Sequence, residues 1–203
     1  MIISGSPIFT NIQLQETDFI IACDGGYRHA LAHHIKPDLI VGDFDSYAQP
    51  INPPCEIMKA PSEKDDTDTM MAVKYALERN MKNIILLGAT GGRIDHQLAN
   101  FSTAAYIAEH GGTCTIADSD NIIYAFKNQK ITLERYNNWS ISVFSYTDQA
   151  IGVSYSGLKY NLTNVTLTNT FPLGVSNEFS EGKASIEVSL GILFVVLSNL
   201  EHE

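Results

Sequence analysis

The sequence predicts an α/β domain built on a mostly parallel sheet, followed by an all-β, sandwich-like domain. Two observations carry this. Up to about residue 118, short continuously apolar runs alternate with stretches of helical periodicity, the pattern of strands buried between helices. After about residue 120 the helical spacing stops, and short runs rich in Ile, Val, Thr, Tyr and Phe follow one another between turn residues, as in an antiparallel sandwich or barrel. The boundary is placed so that one domain spans 1–125 and the other 126–203.

In the first domain, strands are expected at 1–4, 19–22, 39–41, 84–87 and 113–117, and helices at 26–34, 68–79 and 96–109. In the second helix Met70, Val73 and Leu77 fall on one face, and in the third Leu98, Phe101, Ala105 and Ala108 do so. In the second domain, strands are expected at 122–126, 130–133, 139–146, 165–167, 184–190 and 192–197. Alternation of apolar and polar residues is clear from Ser185 to Leu190.

Composition narrows the function. Apolar residues make up 44% of the 203 residues and charged ones 18%, enough for a packed core and too few charges for a disordered chain. The net charge of -10 argues against nucleic acid, whose phosphates attract Lys and Arg, and against anionic lipid. It suits a protein that binds metal ions or a cationic small molecule. No apolar run approaches the ~20 residues that span a bilayer, so no membrane role is expected. Cys23, Cys55 and Cys114 are odd in number and widely spaced. Cys23 and Cys114 read as buried free thiols, which places the protein in a reducing cytoplasm.

Four clusters at strand ends or helix starts carry the chemistry. Asp24-Gly25-Gly26 follows a strand. It reads either as an N-cap with turn glycines or as a close approach of backbone to a phosphate. Gly42-Asp43-Phe44-Asp45-Ser46 presents two carboxylates on the same side of an extended stretch. Their mutual repulsion is relieved by a cation between them, and Mg²⁺ is usually held by one or two carboxylates plus phosphate oxygens. Glu63-Lys64-Asp65-Asp66-Thr67-Asp68 precedes a helix. Thr67 or Asp66 can cap it, and Lys64 can pair with phosphate. Gly88-Ala89-Thr90-Gly91-Gly92-Arg93-Ile94-Asp95-His96 differs in spacing from the common phosphate loops. It has the same parts: small residues, a helix N-terminus, and an Arg able to fork onto phosphate oxygens. His96, alone at a helix start, is more often a cap or packing residue. Asp24, Asp43, Asp45, Asp65, Asp66, Asp68 and Asp95 together form an acid set that bound Mg²⁺ with a triphosphate would neutralise.

These blocks resemble the thiamine pyrophosphokinase family. The resemblance rests on ACDGG (22–26), PDLIVGDFDS (37–46), EKDDTD (63–68) and TGGRIDHQLAN (90–100), in that order and spacing. It continues through GLKYNLTN (157–164) and VSNEF (175–179), so it covers most of the chain. GDFDS and GGRIDH are the most specific. The resemblance implies a three-layer α/β catalytic domain and a C-terminal β-sandwich. It also implies a homodimer with thiamine bound at the subunit interface. The implied reaction moves the pyrophosphoryl group of ATP to the thiamine hydroxyl, giving thiamine diphosphate and AMP. One departure is Tyr160, where some relatives carry Trp.

Carried onto this chain, the resemblance assigns Asp43, Asp45 and Asp68 to Mg²⁺. Asp24 and Asp65 support the metal or its waters. Arg93 neutralises phosphate charge with Lys64 as helper, and Asp95 contacts thiamine or the metal. The backbones of Gly25-Gly26 and Gly91-Gly92 approach the nucleotide, with Thr67 and His96 as further candidate binding residues. Tyr160, Ser176 and Asn177 are candidates for the thiamine side, Asn177 because its amide offers both donor and acceptor to an aminopyrimidine ring. Two other readings remain at this stage: a Mg²⁺-dependent nucleotide phosphohydrolase, with water as acceptor, and a metal-binding module without turnover.

Overall fold

A computed structural model describes residues 1–10, 12–43, 55–59 and 66–201. The chain forms two compact units, one of Met1–Thr103 with Ile116–Ser119 and one of Ala104–Thr115 with Asp120–Glu203.

In the first unit, β1 (Ile2–Ile3), β2 (Ile21–Cys23), β3 (Leu39–Gly42), β4 (Glu56–Lys59) and β5 (Asn83–Leu87) pair in the order β5-β1-β2-β3-β4, every pair parallel. Continuous burial of β1, β2 and β3 explains their unbroken apolar sequences. Helix α1 (Gly26–Ala32) seats Tyr27 and Ala30 in a cluster with Ile3, Ile20, Ala22, Ile35 and Ile40. Helix α2 (Asp68–Glu78) starts at Thr67, whose hydroxyl accepts from the Met70 N–H at 3.1 Å. That bond satisfies one of the helix's free donors. Helix α3 (Ile94–Glu109) and strand β6 (Thr113–Ala117) follow in the chain, with α3 up to Thr103 and β6 from Ile116 belonging to this unit.

Three details differ from the sequence reading. Strand β4 was not expected: it is four residues long with exposed ends and stands last in the strand order, so it lacks the apolar signature of its neighbours. The buried face of α2 is Thr69, Ala72, Val73 and Ala76, with Met70 and Leu77 only half-buried. On α3, Ala105 and Ala108 are buried as expected, but Leu98 is 59% exposed. On α2 the inward face is mostly small residues, and on α3 Ile107 is buried beside Ala104, Ala105 and Ala108.

The second unit is a sandwich. One antiparallel sheet holds β7 (Asn121–Lys127), β14 (Ile192–Asn199), β9 (Trp139–Ser145) and β12 (Gly174–Asn177). The other holds β8 (Lys130–Glu134), β13 (Lys183–Glu187), β10 (Gln149–Ser156) and β11 (Leu162–Thr168). Phe126, Ile141, Val143, Leu193 and Val195 from the first pack with Leu133, Val153, Tyr155, Leu167 and Ile186 from the second in one core. Strands β10 and β12 went unread because each carries a register shift. Gly152 at φ +71° lies within the β10 shift and Ser176 at φ +55° within the β12 shift. Of the run expected to reach Leu190, the continuous strand ends at Glu187, and Leu190, though exposed, still forms an isolated antiparallel bridge with Ile151.

Candidate active site

A cleft of about 570 Å³ opens in the first unit. Its walls are Ser4–Pro7 beyond β1, Asp24 and Gly25 beyond β2, Thr67–Thr69 at the start of α2, Gly91–Arg93 before α3, and His96, Ala99 and Asn100 on α3. All follow strand C-termini or begin helices, where open parallel sheets bind ligands.

The walls meet at glycines. A Cβ on Gly5 would lie 3.0 Å from the Gly25 Cα, and one on Gly25 would lie 3.1 Å from the Gly5 Cα. The two backbones therefore close the cleft floor directly against each other. A Cβ on Gly26 would run into the Ile3 carbonyl oxygen, so Gly26 is fixed by packing against β1. Gly25, not Asp24, is the N-cap of α1, and no side chain caps that helix. This leaves the Asp24 carboxyl on the cleft wall. Gly91 and Gly92 have φ of +79° and +68°, a left-handed pair that turns the chain into α3. Buried Ser4 and Thr69 join their hydroxyls at 2.7 Å, tying the β1 end to α2.

Asp24, Gly25, Thr67, Asp68, Gly91, Gly92, Arg93 and His96 thus come together as expected candidates on one cleft. Arg93 is exposed at the mouth. Its Nε and a terminal nitrogen donate to the two carboxylate oxygens of Asp95 at 3.1 and 2.5 Å. That hydrogen bonding raises the Arg93 pKa and lowers that of Asp95, with the His96 N–H adding to the Asp95 shift. Asp66 pairs with Lys74 at 2.6 Å on the helix surface. Asp43 is exposed just past β3 and is not a lining residue. Asp45, Lys64 and Asp65 lie outside the described residues.

Two carboxylates with phosphate oxygens are a donor set that fits Mg²⁺, and Asp24 and Asp68 both stand on the cleft wall. Among the described residues no three acids, histidines or cysteines gather closely enough to hold a metal by themselves, so phosphate oxygens would complete the coordination. Sequence reasoning missed Ser4–Pro7, Thr69 and Asn100. The Gly5-Ser6-Pro7 run directly after an apolar strand was the available signal.

In the second unit, Tyr160 is 65% exposed. Buried Asn177 accepts from the Tyr160 N–H at 3.1 Å and donates to the Tyr160 carbonyl at 2.7 Å. Its oxygen also accepts from the Glu178 N–H at 2.9 Å. Lys159 pairs with Glu178 at 2.9 Å and holds its ammonium 5.7 Å from the Tyr160 ring. The Ser176 N–H donates to the Ser142 hydroxyl at 3.0 Å.

Comparison with known proteins agrees over both parts. Residues 11–116 match the family described as thiamin pyrophosphokinase, catalytic domain, and residues 128–193 match the thiamin pyrophosphokinase vitamin B1 binding domain. The chain is 29% identical over 186 residues to the thiamine pyrophosphokinase of Bacillus subtilis (strain 168), covering 88% of this chain and 86% of that one. The crystal structure of thiamine pyrophosphokinase from Bacillus subtilis superimposes with a TM-score of 0.87 at 28% identity, covering 98% of this chain and 97% of that one. The structure of thiamin pyrophosphokinase from Geobacillus thermodenitrificans gives 0.86 at 27% identity, with 98% and 96% coverage. This chain belongs to the thiamin pyrophosphokinase family.

Proposed function

We propose that the cleft of the first unit is the pyrophosphoryl-transfer site of an ATP-dependent thiamine diphosphokinase. The family match, which covers every cleft wall but Ser4–Pro7, carries this reading. The thiamine hydroxyethyl oxygen attacks the β-phosphorus of ATP. A bond forms from that oxygen to phosphorus, the bond from the β-phosphorus to the α,β-bridging oxygen breaks, and AMP leaves with that oxygen. The hydroxyl proton is released, and thiamine diphosphate is the other product.

The residues act mainly by positioning and charge neutralisation. Gly25, Gly91 and Gly92 let backbone come close to the triphosphate, and Arg93 forks onto its oxygens. Asp95 keeps the guanidinium extended until phosphate replaces it as partner. Asp68 and Asp24, with Asp43 and Asp45, would hold Mg²⁺, Asp65 would support the ion or its waters, and Lys64, Thr67 and His96 would serve the nucleotide. Bound there, the metal would supply charge neutralisation for the triphosphate. Tyr160 offers its ring to thiamine as a stacking platform, with Ser176 beside it, and Asn177 holds the Tyr160 backbone. The enzyme works as a homodimer in the cytoplasm, with thiamine at the subunit interface. Cys23, Cys55 and Cys114 form no disulfide among the described residues, which supports a reducing compartment. Among the described residues no helix is long and apolar enough to cross a membrane.

No observation favours the phosphohydrolase. The test is incubation with ATP, Mg²⁺ and thiamine, followed by chromatography of nucleotides and thiamine species. AMP and thiamine diphosphate appearing one for one, and only with thiamine present, are expected. ADP with thiamine monophosphate would overturn the β-phosphorus attack. Nucleotide loss without thiamine would restore the phosphohydrolase.

A further inference from the structure

Three buried polar side chains, Asn100 on the cleft wall and Thr90 and Asp118 outside its lining, have no part in the chemistry above. Thr90, Asn100 and Asp118 are each 7% exposed. The Thr90 hydroxyl donates to an Asp118 carboxylate oxygen at 2.6 Å, the short distance of a charge-assisted bond. The Asn100 amide donates to the Ala89 carbonyl at 2.8 Å. The Ser6 N–H donates to the Gly88 carbonyl at 2.8 Å, and Thr90 forms an isolated antiparallel bridge with Ile8. Gly88, Ala89 and Thr90 are therefore held one after another, by the β1 extension, α3 and the end of β6. Immediately afterwards the chain turns through left-handed Gly91 and Gly92 and delivers Arg93.

Buried polar groups cost stability unless they are bonded, and an apolar trio of similar shape would fill the same space. Asp118 is not a cleft-lining residue, so it is not placed to hold a metal there. What its bond fixes is the direction in which the Gly91-Gly92 turn leaves. We propose that Thr90, Asp118 and Asn100 are positioning residues for pyrophosphoryl transfer. They brace Gly88–Thr90 so that the flexible glycine pair aims the Arg93 guanidinium at the phosphates. This rests on the proposed function. Displacement of a positioned group by about 1 Å can cost about 100-fold in rate, so the brace is read in kcat more than in stability.

The experiment compares Thr90→Val, which keeps shape and removes the hydroxyl, with Thr90→Ser, which keeps it. Both are also placed in an Arg93→Lys background. Thr90→Val is expected to lower kcat roughly 10- to 100-fold while the thiamine KM stays within about twofold. Thr90→Ser is expected to restore kcat to within about threefold. In the Arg93→Lys background, Thr90→Val is expected to cost less than about threefold, because residues acting through one group are not additive. Asn100→Ala, probing the opposite side of the loop, carries the same criterion if Thr90→Val does not fold. Unchanged kcat in Thr90→Val, or equal losses in both backgrounds, would overturn the brace. A wild-type chain that makes no AMP and thiamine diphosphate would instead overturn the proposed function.

Discussion

The two units use polar side chains in opposite ways. In the α/β unit they are left at the ends of elements. Asp24, Asp68 and Arg93 stand on a cleft, and glycines bring backbone between them. In the sandwich they mostly complete backbone pairing. Asn177 spends its amide on Tyr160 and Glu178, Asn128 accepts from the Gly191 N–H at 2.7 Å, and Thr147 donates to the Gln149 carbonyl at 2.8 Å. A parallel sheet leaves strand ends and helix starts with free donors that a ligand can complete. Two packed antiparallel sheets with register shifts consume their polar groups internally, and what they display is a surface such as the Tyr160 ring.

Mutations should separate the two roles. The largest effect is expected for Asp68→Asn: loss of the proposed metal ligand should lower kcat by more than about 100-fold, beyond the usual cost of an outer-shell partner. The melting temperature should hold, since the side chains are nearly isosteric. Steady-state rates and a thermal melt check both. Arg93→Lys should follow, with kcat down roughly 10- to 100-fold, because an ammonium cannot fork onto two oxygens. Full activity in that variant would remove Arg93 from the phosphate site.

Tyr160→Ala should act differently, raising the thiamine KM by roughly 3- to 10-fold, the value of a lost aromatic contact, with the ATP KM unchanged. Asn177→Asp should do the same more weakly, because a carboxylate cannot donate to the Tyr160 carbonyl. An Asn177 variant that binds thiamine normally would mean that Tyr160 is held without it.

The smallest effect concerns pH. Arg93 hydrogen bonding lowers the Asp95 pKa. The pair is therefore intact above the ordinary carboxylate range and lost only as pH falls through that lowered value. Arg93 itself stays charged throughout. The Asp95→Asn variant should accordingly show the same shape of pH–rate profile as wild type between about pH 5 and 9. A new step in that window would mean that Asp95 exchanges protons during turnover.

How much of this was legible in the sequence depended on distance along the chain. Strand–turn–helix patterning gave α1, α2 and α3, because each is a local pattern. The acidic and glycine clusters could be read for the same reason: Asp24 with Gly25, and Gly91 with Arg93, are neighbours. The brace could not, since Thr90 and Asp118 are 28 positions apart and neither is unusual where it stands. Nor could the use of Asn177. Its amide suits an aminopyrimidine ring as well as a peptide, and only the approach of residue 160 decides between them. Leu98 misled for a related reason: helical spacing locates a face, but which of its turns is covered depends on residues distant in sequence, and Ala104, Ile107 and Ala108 are buried while Leu98 near the helix start is not.

The central claim is that the α/β unit binds the nucleotide and metal, while the sandwich contributes only to thiamine. The most direct test is calorimetric binding of Mg²⁺ with a non-hydrolysable ATP analogue, without thiamine, to wild type, Asp68→Asn and Tyr160→Ala. The account predicts that Asp68→Asn weakens binding at least about 10-fold and that Tyr160→Ala matches wild type within about twofold. Nucleotide binding lost in Tyr160→Ala and kept in Asp68→Asn would contradict it.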